Sequence, residues 1–436
     1  MKEKGRVLVG LILMCTVLAG CGDKETKNKE EIKKPVSVAE GEVSVQGERK
    51  EEYPTVTEIS EFTPVKESQE FNFNTDCQYY MMSHYLQAES EDSIYFVSSV
   101  GNILKVFDKT TKSVSIMCNK PECPHEKYDY ECNAYFARIS NIFYYNGSLY
   151  VLMAESREGE GDVFLIDLNM YRVSADGSER TFITSLYTIV GYDGAFASTT
   201  IFRVNCIQHR GYLYYIYDTG VKYEGESFYN YGSNCLRRMN LETLKEDEKC
   251  LAYMPIGSDY QQVSLMAKGS YVYYVKGDSE GFGEVYRFNT ESLESEKIDI
   301  GTIAFEDLGI LGSEILYKKD WQSYDIYRYN PDTGEEELFA NLESSQYANC
   351  YNFYVDENYV YVNCKDNQDD KFNFEVLNYS GEMVYTIELD VHVSQGILCI
   401  SSDYILYGAE SDDENEIYYL DKGKIETGDA EYIKIE

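Results

Sequence analysis

One pattern recurs from about residue 90 to the end of the chain, and it limits the folds open to this sequence more than any other feature. Each copy consists of an aromatic strand, a polar tip, a second strand, a tight turn and a third strand. The first two strands of the seven copies are at 93–96 and 104–108, 142–150 and 170–178, 212–215 and 236–241, 271–274 and 285–289, 315–317 and 326–330, 359–361 and 374–378, and 404–407 and 417–421. The last four copies are about 43 to 46 residues apart, and longer loops separate the earlier ones. A period of about 40–50 residues with three or four strands per copy is typical of a β-propeller blade.

Composition supports an all-β fold. The chain has 43 tyrosines against one tryptophan and seven prolines, and aromatic residues favour strands. Doublets such as Tyr214-Tyr215 and Tyr273-Tyr274 place rings on both faces of a strand, as expected where neighbouring blades cover both faces. We therefore predict a β-propeller of about seven four-stranded blades over residues 71–436, with six or eight blades as alternatives. An irregular β-sandwich or barrel is the other fold that fits the strand pattern.

The turns resemble those of TolB-like propellers, which occur in bacterial envelope proteins. Residues 171–178 (YRVSADGS) contain the Asp-Gly turn of those repeats, and residues 327–334 (YRYNPDTG) are a close variant. The resemblance covers most of residues 90–436 and rests on turn chemistry. Together with Leu18-Ala19-Gly20-Cys21 near the N-terminus and the long polar stretch after it, these repeats make the chain resemble surface lipoproteins of Gram-positive bacteria whose roles are largely unassigned.

The N-terminus has the pattern of a secretory signal. A basic start precedes an apolar run at 7–17 and then Leu18-Ala19-Gly20-Cys21, which resembles the lipobox of bacterial lipoproteins. The resemblance implies that residues 1–20 are removed and that Cys21 carries a diacylglyceryl group, with fatty acids such as palmitate. A transmembrane helix is the alternative, but the apolar run of about fourteen residues is shorter than the roughly twenty that a bilayer requires. A signal peptide with a non-lipid cleavage site is the other. We expect a chain held on the extracytoplasmic face of the cell membrane.

Residues 21–70 are charged, polar and poor in large apolar side chains. Such a segment buries too little surface to offset its chain entropy, so we predict a disordered, lipid-anchored linker. About fifty residues of flexible chain have a mean reach of roughly 40 Å.

The formal net charge of the chain is −37. A surface this acidic repels nucleic acid and anionic headgroups, so we expect no nucleic-acid binding. Attachment to the membrane is expected from the N-terminal lipid instead.

Cys118, Cys123, His125 and Cys132 form the densest group of metal-ligating side chains in the sequence. Their spacing, C-x4-C-x-H-x6-C, differs from the paired C-x2-C of a zinc knuckle. Three thiolates and a neutral imidazole nevertheless suit a tetrahedral Zn²⁺ site. An exported protein also permits disulfides, so disulfide bonding or simple packing is the alternative. Either cross-link would hold together a loop that is too polar to fold alone.

The other cysteines are more widely separated. Cys350 and Cys364 flank neighbouring strands of the sixth copy and could pair across them. A bond between Cys77 and Cys399 would join the two ends of the propeller. Three more lie in the third copy: Cys206, Cys235 and Cys250. Buried thiols that behave as small apolar groups are the alternative for all of them.

No complete enzyme motif is present in the sequence. His125-Glu126 begins like H-E-x-x-H, but Asp129 replaces the second histidine, and no G-x-S-x-G elbow occurs. The glycine-rich segment 277–283 lies between two strands, which predicts a hairpin tip. The remaining histidines, His84, His209 and His392, are isolated, so we name no catalytic residue.

Two acidic runs, 365–371 and 410–416, fall between strands of a blade. Neither matches the D-x-D-x-D-G loop that binds Ca²⁺, so we interpret both as solvated hairpin tips.

Three functions fit these features. The first is a surface-anchored binding or scaffolding module for a protein or glycan ligand, because a propeller presents loops from every blade around one centre. The second is an extracytoplasmic carbohydrate-active enzyme on the same fold. The third is a solute-binding lipoprotein of a transporter, which would require a two-lobed α/β domain. We favour the binding module, and the sequence does not identify its ligand.

Overall fold

The computed structural model describes residues 76, 86–97, 102–125, 130–158, 163–192, 206–217, 221–224, 227–230, 233–247, 252–255, 263–277, 281–304, 307–321, 323–343, 346–366, 372–388, 397–410 and 415–435. The predicted signal peptide and linker, residues 1–70, lie outside the described residues. Among the residues that are described, no helix has the length and apolar character needed to cross a bilayer.

The described chain forms seven four-stranded antiparallel sheets, which confirms the predicted seven-bladed propeller. Blade 1 contains β1 (Gln87–Glu89), β2 (Ser93–Val97), β3 (Leu104–Asp108) and β4 (Ser113–Ile116); blade 2 contains β5 (Ile139–Tyr145), β6 (Ser148–Glu158), β7 (Val163–Ser174) and β8 (Arg180–Tyr192). Blade 3 contains β9 (Cys206–His209), β10 (Tyr212–Tyr217), β13 (Ser233–Asn240) and β14 (Ala252–Pro255), and the hairpin β11 (Val221–Glu224)–β12 (Ser227–Asn230) is inserted between β10 and β13. Blade 4 contains β15 (Val263–Lys268), β16 (Tyr271–Gly277), β17 (Phe282–Asn289) and β18 (Ser295–Ala304); blade 5 contains β19 (Leu308–Leu311), β20 (Glu314–Tyr317), β21 (Asp325–Asn330) and β22 (Glu335–Asn341). Blade 6 contains β23 (Tyr347–Val355), β24 (Val360–Asp366), β25 (Phe372–Leu377) and β26 (Met383–Glu388); blade 7 contains β27 (Ile397–Ile400), β28 (Tyr404–Glu410), β29 (Asn415–Asp421) and β30 (Tyr432–Lys434), with a 3₁₀ turn at Lys422–Lys424.

Apolar clusters between consecutive blades arrange these sheets in a ring. Seven buried clusters are present among the described residues, and each joins one blade to the next. The closing cluster packs Phe96 and Phe107 of blade 1 against Cys399, Tyr404 and Leu406 of blade 7. The first strands of successive blades contact each other, as β5 does β1 and β9, so these strands lie nearest the centre. The inner strand β9 is wholly buried, whereas the outer strand β22 is largely exposed.

A repeated side-chain turn sets the end of the third strand in most blades. Asn330 Oδ1 accepts hydrogen bonds from the backbone N–H of Asp332 at 2.9 Å and of Thr333 at 3.1 Å. Such an Asx turn holds the chain reversal together locally, because the side-chain oxygen accepts N–H groups two and three residues along the chain. The same position accepts backbone N–H groups in the other blades where it is aspartate or asparagine: Asp108, Asn240, Asn289, Asn378 and Asp421.

Tyrosine hydroxyls donate to carboxylates in several blades of the ring. Tyr361 donates to Asp356 at 2.7 Å, and Tyr171 donates to Glu155 at 3.0 Å. Equivalent bonds join Tyr215 to Glu246, Tyr317 to Glu336 and Tyr347 to Glu375. The rings pack in the blade interfaces while the hydroxyls satisfy carboxylate oxygens that would otherwise need a cation or water.

Polar contacts between β1 and the β27–β28 region accompany the closing apolar cluster. Gln87 Nε2 donates to the Ile400 carbonyl at 3.3 Å, and the Ile400 N–H donates back to Gln87 Oε1 at 3.1 Å. Glu89 accepts the Ser402 N–H at 2.9 Å and the Lys109 ammonium at 2.5 Å. Every four-stranded sheet is made of strands from one continuous stretch of chain, so side chains rather than a shared blade join the ends.

Candidate metal centre

The cysteine-rich segment, residues 117–138, connects β4 of blade 1 to β5 of blade 2. Blade 1 holds it through the Leu104 N–H, which donates to the Ala134 carbonyl at 2.9 Å. Blade 2 holds it through the carbonyl of Gly177, in the β7–β8 turn. That carbonyl accepts the Asn119 N–H at 3.1 Å and Asn133 Nδ2 at 2.9 Å. The segment therefore lies at the junction of the two blades and is fixed to both.

This segment brings the four predicted metal-ligating side chains together. The ligand atoms of Cys118, Cys123, His125 and Cys132 all lie within 4.8 Å of one another. Cys132 Sγ is 3.8 Å from His125 Nδ1. The three cysteines are thiols and are not joined in disulfides. Cys132 is 0% exposed and Cys118 is 8% exposed, whereas Cys123 and His125 are half-buried.

The donor set and its spacing fit Zn²⁺. Zinc–ligand bonds of about 2.0–2.3 Å in a tetrahedron place the ligand atoms roughly 3.4–3.8 Å apart. The cluster of Cys118, Cys123, His125 and Cys132 satisfies this after shifts of about 1 Å or less for its most distant pair. Thiolate and imidazole donors select zinc over the hard cations Mg²⁺ and Ca²⁺.

Backbone N–H groups donate to two of the sulfurs. Burial acts to raise the pKa of Cys118, but N–H donors from Lys120 and Asn133, together with hydrogen bonds from the neighbouring thiols, outweigh it, so the net pKa is lowered. For Cys132 burial dominates and the pKa is raised, although the Ala134 N–H donates to its sulfur and opposes this. Such outer hydrogen bonds orient metal-bound thiolates and tune their basicity.

Two of these donors, Lys120 and Ala134, each lie two residues beyond the cysteine they bond, in two copies of a Cys-Asn turn. Cys118-Asn119-Lys120 and Cys132-Asn133-Ala134 both direct an N–H at the preceding sulfur. Both asparagines also bond the same carbonyl of blade 2. The ligand residues were predictable from the sequence, but these supports were not. The repeated Cys-Asn dipeptide was the available signal for them.

The other predicted cysteine pairs have different outcomes. Cys350 and Cys364 lie opposite each other on β23 and β24, with their Cα atoms 4.1 Å apart, and form a disulfide. Cys399 and Cys206 are fully buried thiols, and burial raises the pKa of both. Cys77 lies outside the described residues, so its pairing with Cys399 stays a prediction. The side chains of Cys235 and Cys250 are also outside the described part.

The remaining sequence candidates are structural where they are described. His209 is buried in β9, and one ring nitrogen, Nε2, is 2.7 Å from the Gly269 carbonyl, an inter-blade contact. Gly277 pairs with Gly283 across β16 and β17, as the predicted hairpin tip requires. His84 and His392 fall outside the described residues, as do the central residues of both acidic runs.

This chain is similar to known proteins in structure and not in sequence. No protein-family model and no curated protein matches the chain. Solved structures do match: a prolyl endopeptidase has a TM-score of 0.49 and 12% identity, and the match covers 83% of this chain and 50% of that one. The chain thus spans about half the length of that enzyme.

Two further solved structures have lower scores. An oligogalacturonate lyase in complex with manganese has a TM-score of 0.38 and 10% identity, with 65% of this chain and 80% of that one covered. TolB from Acinetobacter baumannii has a TM-score of 0.37 and 9% identity, with 78% and 76% covered. TolB is thus among the solved structures to which this chain is similar. A shared fold does not carry an activity with it.

Proposed function

We propose that this chain is an exported, lipid-anchored protein whose propeller is a binding or scaffolding head for a protein or glycan at the cell surface. We further propose that the head carries one structural Zn²⁺ bound by Cys118, Cys123, His125 and Cys132. The zinc proposal rests on one observation, the convergence of four soft or borderline ligand atoms within 4.8 Å. The anchor proposal rests on the lipobox-like sequence that ends at Cys21.

The anchor has a direct test. In a producing bacterium fed an alkyne-tagged palmitate, the full chain should become labelled and should partition with detergent. The Cys21→Ala variant should lose the label, whereas Cys15→Ala, six residues earlier inside the predicted signal, should keep it. Equal labelling of the two variants would contradict the assignment of Cys21, and an unlabelled wild-type chain would contradict the anchor.

Two buried lysines of the described blades hold neighbouring blades together, and we read them as structural parts of a binding head. Lys318, almost fully buried, donates through Nζ to the carbonyls of Cys350 at 3.0 Å and Tyr351 at 3.1 Å in blade 6. Lys422 of blade 7 pairs with Asp356 of blade 6. Groups bound in this way stabilise the ring and are not available as general acids or bases.

The binding head is tested with the full chain purified in detergent. We expect binding of peptidoglycan-derived glycans or of a purified cell-surface protein, without turnover of either. Hydrolysis or elimination of a glycan, abolished by replacing one carboxylate near the ring centre, would instead make the protein a carbohydrate-active enzyme.

Zinc is tested by elemental analysis of the same preparation. The wild-type chain should hold one zinc per molecule, and Cys118→Ser should lose it. Cys206→Ser is the matched control, because Cys206 is a buried thiol in blade 3 and lies outside the cluster. After denaturation with a chelator, the three cluster cysteines should all react as thiols. A zinc-free wild-type protein in which at least two of these cysteines do not react would establish the disulfide alternative.

A further inference from the structure

The β7–β8 turn of blade 2 holds both arms of the cysteine-rich segment. On the first arm, the Asn119 N–H next to Cys118 donates to the Gly177 carbonyl at 3.1 Å. On the second arm, Asn133 Nδ2 next to Cys132 donates to the same carbonyl at 2.9 Å. One backbone oxygen of blade 2 therefore fixes the separation between two predicted zinc ligands.

Arg180, the first residue of β8, strengthens the hold on the second arm. Its guanidinium donates to the carbonyls of Tyr130 at 2.6 Å, Cys132 at 3.1 Å and Tyr135 at 2.8 Å. It also lies over the Phe136 ring, 5.2 Å from the centroid. The planar fork of arginine can serve three acceptors at once, which a lysine ammonium in the same place cannot match in geometry.

Gly177 permits the close approach of this turn. Its φ is +70°, and a Cβ atom added there would lie 2.8 Å from the Met117 carbonyl carbon and 2.9 Å from the Cys118 nitrogen. Any side chain at this position would therefore push the turn away from the backbone of a predicted zinc ligand.

We infer that Gly177 and Arg180 are positioning residues for the metal centre, so that zinc binding and the docking of blade 2 on the cysteine-rich segment are thermodynamically coupled. This inference rests on the proposed zinc site. The turn fixes both arms before the metal binds, so the ligands lose less conformational entropy when zinc binds. By linkage, zinc must strengthen the blade junction by the same factor as the docked turn strengthens zinc binding.

The test compares two glycine variants of the full chain in detergent. Gly177→Ala and Gly147→Ala both place alanine at a positive φ in blade 2, but nothing lies within 4 Å of a Cβ at Gly147. Zinc affinity is measured by competition with a chromophoric chelator, and the site geometry by the absorbance of bound Co²⁺. We expect Gly177→Ala to weaken zinc by about 10–100-fold and to alter the Co²⁺ spectrum, as outer-shell changes do. Gly147→Ala should leave both at the wild-type values.

Arg180→Lys gives a second, independent variant that keeps the charge. It should also weaken zinc by about tenfold or more. Arg328→Lys is its control, because Arg328 Nη1 donates to the Tyr379 carbonyl between blades 5 and 6, at the perimeter of the ring. This variant should bind zinc as tightly as the wild-type chain does. A merely structural role would lower the unfolding temperature without changing zinc affinity or the Co²⁺ spectrum of the folded protein. If both Gly177→Ala and Arg180→Lys bind zinc with wild-type affinity, this inference is overturned and the zinc proposal still stands. A wild-type chain that binds neither Zn²⁺ nor Co²⁺ would overturn the zinc proposal and this inference with it.

Discussion

Glu89→Gln should destabilise the propeller at the point where its ring closes. The Glu89 and Lys109 side chains are each only 8% exposed, and Glu89 also accepts the Ser402 N–H at 2.9 Å. Burial acts to lower the pKa of Lys109, but Glu89 and Asp403 outweigh it and the net pKa is raised, so the carboxylates stabilise the ammonium. Removing one partner of a buried pair costs about 3–5 kcal/mol. Asp403, 3.1 Å from Lys109 but 59% exposed, offsets part of this loss, so we expect about 2–4 kcal/mol.

The assay is urea unfolding of the full chain followed by far-UV circular dichroism, with hydrogen exchange to locate the change. Glu337→Gln is the matched control, because Glu337 pairs with Arg328 but is 61% exposed. An exposed pair of that kind contributes less than about 1 kcal/mol. Faster exchange in Glu89→Gln should be concentrated in β1 and β27. Equal losses of stability in the two variants would refute the argument that Glu89, through its bond to Ser402 and its support of Lys109, holds the ring closed.

Three further predictions concern other parts of the ring. Burial lowers the pKa of His209 to about 4. Below about pH 6.5 the unfolded chain therefore binds a proton that the folded chain excludes. The free energy of unfolding should decrease as the pH is lowered, by about 3 kcal/mol once pH 4 is reached. In urea titrations between pH 7 and 5, His209→Gln should remove that part of the slope; an unchanged slope would contradict it. Replacing both Cys350 and Cys364 with alanine should cost up to about 3 kcal/mol in thermal unfolding, and no loss would contradict a stabilising bond. In Gly381→Ala the new Cβ would collide with a main-chain carbonyl of blade 5, whereas in Gly312→Ala, at a similar φ, it would meet open space. The free energy of unfolding should therefore fall by about 1–3 kcal/mol more in Gly381→Ala than in Gly312→Ala. Equal losses would contradict the collision.

The blades were predictable because each repeats its own local pattern. The strands expected at 271–274 and 285–289 are β16 and β17, and both continue towards the hairpin tip as far as the pairing of Gly277 with Gly283. The Asx turns are equally local, since the side chain bonds N–H groups two or three residues along. The hairpin β11–β12 was missed because it is an insertion that the repeat does not contain.

Contacts between blades were not predictable, because their partners are far apart in sequence. Lysine is ordinarily a surface residue, yet Lys109, Lys318 and Lys422 are buried at blade junctions. The same limit applied to the candidate metal site. Its ligands lie within fifteen residues, but Asn133 reaches Gly177 across 44 positions, and only the ring geometry brings them together.

A ring closed by side chains has a consequence for the order in which the protein is made. Synthesis proceeds from the N-terminus, so blade 1 exists long before blade 7. Gln87 lacks its partner Ile400, and Glu89 lacks its bond to Ser402, until blade 7 emerges. Until then the blades already made can form no more than an open arc. Each new blade can pack on its predecessor as in a linear repeat protein, and the last one made decides whether the arc becomes a ring.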